Sequence, residues 1–230
     1  MGHKEDPTKY QPPKMTVTDG VHKIGKALVS LTPGVGGAAV ELYETLWKAP
    51  LDKRMASWTK LIGEVVGKIE QDVEKLAENP VFITNLLHAT QAALRTHQKE
   101  KLEALCNAVL NSTLPTAPDE DLQLIFINLL DSMTTPHIKI LAFLADPRNY
   151  LKGKVTDQEG VRGTPLYPYL EKAFPEMDRP FYTVIIDQLK ARGLTEVNID
   201  QKAEKLFQGH TTRLGWDLVQ FIKAPFEPNE

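Results

Sequence analysis

The residues able to do chemistry form a few small groups. Gly34, Gly36 and Gly37 follow Pro33 at the start of a helical pattern, and free backbone N–H groups at the positive end of a helix hold anions such as phosphate. No strand-like run precedes these glycines and no Gly-Lys-Ser/Thr follows, so neither nucleotide-binding fingerprint is met. They read as a hairpin turn or a close helix contact, with insertion into a membrane after a trigger as a minor alternative. His88 and His97 are metal-ligand types, but nine residues of helix set them nearly opposite one another. His97 with Glu100 remains a plausible local pair.

Cys106 lies on an apolar stripe with Leu102, Leu105 and Val109, a common place for a small buried thiol, and no partner base lies near it in sequence. Asn111-Ser112-Thr113 fits the glycosylation sequon, which needs a secretory route to matter. Asp119-Glu120-Asp121 reads as an acidic first turn that meets a helix dipole. His137, behind Pro136, takes a structural role, and His210 is expected at the surface. The expectation is no catalytic, cofactor-binding or metal-binding residue, and no cofactor.

Composition narrows the classes further. The formal net charge is -3 over 230 residues, which gives no global attraction to phosphate backbones or anionic lipid. One cysteine excludes an intramolecular disulfide framework. The first 15 residues hold three prolines and no apolar signal core, and no run of about 18 apolar residues is present for a membrane span. A cytoplasmic protein without a membrane segment is expected.

The elements that must position these residues are helical. Val21, Ile24, Leu28 and Leu31 share one face, and the pattern resumes from Val35 to Trp47 after the glycine turn. Leu51, Met55, Trp58, Ile62, Val65 and Ile69 alternate steps of four and three, a coiled-coil-like seam that drifts to Val73 and Leu76. Such a helix runs roughly 40 Å, serving as a bundle spine or a self-association seam, and Asn79-Pro80 ends it. Helices carrying Val81 to Leu94 and Leu102 to Val109 follow with short links, which favour antiparallel neighbours. The expected layout is a flexible leader over 1–18, an antiparallel helical bundle over 19–117 and a second domain over 118–230, with Pro115 and Pro118 at the boundary.

That second domain reads as a winged helix-turn-helix-like α+β unit within a mostly α chain. Helices are expected over Asp119 to Ser132, Pro136 to Ala145, Tyr167 to Phe174 and Arg179 to Arg192, the last capped by Gly193. A polar loop is expected over Asp146 to Thr164, and extended segments at Gly193 to Val197 and His210 to Leu214 would form the wing. Arg179, Thr183, Lys190, Arg192 and Arg213 are the candidate DNA or partner contacts. From Ser112 onward about 13 Lys and Arg face about 17 Asp and Glu, the opposite of a DNA-binding footprint.

The stretch from Pro33 to Leu144 resembles the abortive-infection alpha-like family of bacterial proteins. The similarity rests on Pro33-Gly34-Val35-Gly36-Gly37, on Leu102 to Asn111 and on Leu129 to Leu144. The resemblance implies a helical protein associated with phage defence, and brings no catalytic residues with it. The leading expectation is a non-enzymatic interaction protein acting through protein contacts, with a homodimer possible. A DNA-binding regulator that lays Arg179 to Arg192 in the major groove is the alternative. A membrane-acting helical effector is the third, and an enzyme with a site assembled from distant loops stays open.

Overall fold

The computed structural model describes residues 44–67, 73–155, 165–200 and 208–224. The leader, the Pro33 to Gly37 turn and Ile69 lie outside them. The chain divides into two compact units, Met1–Ala56 and Ser57–Glu230. A π-helical turn at Glu44–Lys48 precedes α1 (Ala49–Val66). Then come α2 (Val73–Glu78), α3 (Pro80–Leu94), α4 (Lys99–Asn111), α5 (Glu120–Ser132) and α6 (Thr135–Ala145). The order closes with α7 (Pro147–Leu151), α8 (Tyr167–Ala173), α9 (Arg179–Ala191) and α10 (Arg213–Ile222). The described residues are mostly helical.

Local chemistry sets half of the helix starts. Orphan N–H groups of a first turn need acceptors, and short polar side chains supply them. Asn79 accepts from the N–H of Val81 and Phe82, Asp119 from Leu122, Asp146 from Asn149, Asp178 from Phe181 and Thr212 from Gly215. At its other end α9 stops on Gly193, whose φ of 71° is the left-handed region that glycine enters without strain. Gly193 N–H donates to Lys190 O and Leu194 N–H to Leu189 O, the paired bonds of a Schellman ending.

Three sequence expectations change. The seam helix is not continuous through the described residues: α1 ends at Val66, where Gly63 and Gly67 both lower helix propensity. The expected loop after Ala145 contains α7, started by Asp146 and Pro147. The two-stranded wing does not form among the described residues, so the α+β description is corrected to helical. Thr195 and Thr211 make a single isolated antiparallel bridge. Arg213 and Leu214, expected in an extended segment, instead open α10, because Thr212 caps that helix one residue earlier.

In the unit from Ser57, α3 packs against α4 and α5, α4 against α10, and α6 against both α9 and α10. One hydrophobic cluster runs from Trp58 to Ile222 and includes residues on both sides of Pro118. Phe126 meets Phe221 at 5.5 Å between ring centroids, while Phe143, Tyr150 and Phe174 form a second aromatic group at 5.6 to 5.9 Å. Among the described residues, no helix is long and apolar enough to cross a membrane.

Candidate functional site

Helix α9 carries two of the exposed large hydrophobic side chains among the described residues, Phe181 and Val184. Its inner side is fixed by Tyr182, Ile185, Ile186 and Leu189, all buried. Tyr182 donates its hydroxyl to Phe174 O at the end of α8. Burial pushes that hydroxyl up to about 12, so it stays protonated and keeps donating. On the outer side Phe181 is 40% exposed and Val184 50% exposed. Pro180, Gln188 and Ala191 share this outer face with Val184, at steps of four and seven.

The rotation of α9 is locked by His137 at the start of α6. The backbone N–H of Thr134 reaches His137 Nδ1 at 3.2 Å, and an amide can only donate, so Nδ1 is the acceptor. The proton therefore sits on Nε2, which donates to Gln188 Oε1 at 2.7 Å. Burial holds the imidazole below its ordinary range; the Gln188 bond opposes this, and the Arg192 and Lys101 charges add to it.

The contact residues expected from sequence cluster on and around α9, but most of their charge is already engaged. Arg179 pairs with Asp200 and stacks 5.1 Å above the Tyr167 ring. Thr183 returns its hydroxyl to Arg179 O at 3.0 Å. Arg192 donates to Gln188 O at 3.0 Å. Arg213 stands on α10, with both oxygens of Asp217 at 2.9 Å. Lys190 is exposed at the end of α9. Surface pairs of this kind hold less than about 1 kcal/mol each, so they leave the side chains able to move while offsetting the charge that phosphate would seek.

Two residues of the α1 seam, Trp58 and Ile62, pack on the core of the unit from Ser57. Trp58 is buried and donates Nε1–H to Thr90 Oγ1 at 2.9 Å, and Ile62 packs on the same core. Leu51 and Met55 are half-buried; the side chain of Val65 and all of Ile69 lie outside the described residues. Sequence spacing finds a seam but cannot say whether a second copy or the chain's own core fills it.

Cys106 is buried, with Sγ 4.0 Å from Leu61 O. His88 and His97 are exposed. His210, expected at the surface, is only half exposed: its N–H meets Leu144 O and its carbonyl accepts from Thr195 Oγ1. Among the described residues no three His, Cys, Asp or Glu side chains gather as a metal group. A cleft of about 340 Å³ runs between the 114–118 turn and α10, lined by Leu114, Pro118, Leu122, Arg213, Asp217 and Phe221. Its charged lining residues are Asp119, Arg213 and Asp217, the last two paired with each other.

The sequence reading missed two polar anchors. Asn111, read as a sequon, is buried and donates to Phe221 O at 2.7 Å and Lys223 O at 2.8 Å, which closes the end of α10. Lys101 donates to Asp131 O at 2.7 Å and Met133 O at 2.8 Å at the end of α5. Burial lowers its ammonium below the usual lysine range, and the Asp131 carboxylate opposes that. Comparison with known protein families, characterised proteins and solved structures gives no match to this chain.

Proposed function

We propose that the protein acts by non-covalent contact with protein, with the outer face of α9 as its contact surface and bacterial phage defence or its regulation as its setting. The observation that carries this is the exposed pair Phe181 and Val184 on α9. Contact surfaces gain from desolvating apolar and aromatic groups at their centre, and a DNA-reading helix would instead present cations and amides there. The resemblance to the abortive-infection alpha-like family supports the setting.

A winged helix-turn-helix-like arrangement fits the order α6, α8, α9, Gly193 turn, Thr195–Thr211 bridge and α10, with the bridge standing where a two-stranded wing would be. That order also favours a second reading, a DNA-binding regulator with Lys190, Arg192 and Arg213 on phosphates. Fluorescence anisotropy of mixed-sequence duplex DNA, titrated at low and physiological salt, separates the two. Absence of binding at low salt is expected. Tight binding that weakens steeply with salt, the signature of counterion release, would overturn the protein-contact reading in favour of the regulator.

A further inference from the structure

We draw no further inference here: the strongest candidate, the outer apolar face of α9 around Phe181 and Val184, belongs to the contact surface already described, and nothing in the structure shows what covers it.

Discussion

At the scale of single residues, two positions hold α9 and α10 in place by geometry that few substitutions can satisfy. Gly215, in the first turn of α10, lies so close to the strand-like turn after α9 that an added Cβ would stand 2.0 Å from Leu194 O. The obstruction is backbone, so relief requires α10 to move. Gly215→Ala should therefore cost about 3 kcal/mol, near the top of the usual overpacking range, read as a drop in urea midpoint with unchanged slope. His137 makes a different prediction. Its folded-state affinity for protons is held below the ordinary value near 6.5, so the unfolded chain binds the proton more readily. The stability contributed by the neutral imidazole is complete above pH 6.5 and is lost as pH falls below it. Protonation would also put N–H against N–H at Thr134. Unfolding free energy measured at pH 7.5 and pH 5 should fall, and His137→Gln should flatten that fall; an equal slope in the variant would remove His137 as its source.

At the scale of elements, the helices announce themselves locally and their anchors do not. Asn79-Pro80, Thr135-Pro136 and Gly193 are start and stop signals that act within four residues and were readable from the chain alone, although the cap of α6 is Thr134, one residue before the expected Thr135. Asp146-Pro147 is the same signal, placed inside a polar stretch that hid a five-residue helix. Asn111 and Lys101 could not be read this way, because the carbonyls they satisfy belong to α10 and α5 and no local pattern encodes that distance. The contact face was half legible. Phe181, Tyr182, Val184, Ile185, Ile186 and Leu189 spread over more of α9 than one buried stripe needs, yet which of them face outward depends on where α6 and α8 sit. The anchoring role of Asn111 is open to a direct test. Asn111→Ala removes donors from buried carbonyls and should cost about 2 kcal/mol. Asn111→Asp places carboxylate oxygens against those carbonyls and should cost more, the order expected of a structural cap and not of a modification site, where both substitutions would be silent.

At the scale of the whole molecule, the decisive relation is between α4 and α10, which lie about 100 residues apart in sequence and side by side in space. The prolines at 115 and 118 mark a turn between helices, not a break in the core, since Leu105, Ala108 and Val109 before them share one hydrophobic cluster with Phe126, Leu218 and Phe221 after them. Asn107 and Asn111 fasten the same junction by donating to Ile222 O and Phe221 O. A fragment beginning at residue 118 keeps α5 to α10 but loses the surface on which α10 is laid, and it leaves the last carbonyls of that helix without their donors. Burial of Phe126 and Phe221 alone is worth about 1.5 to 3 kcal/mol each, a large share of the 5 to 15 kcal/mol that holds a domain folded. The 118–230 fragment should therefore show helical signal without a cooperative melt, whereas residues 57–230 should unfold in one transition by circular dichroism. A sharp, reversible melt of the short fragment would mean that its core closes without α4. The α4–α10 contact would then be a docking surface between two stable modules instead of the centre of one.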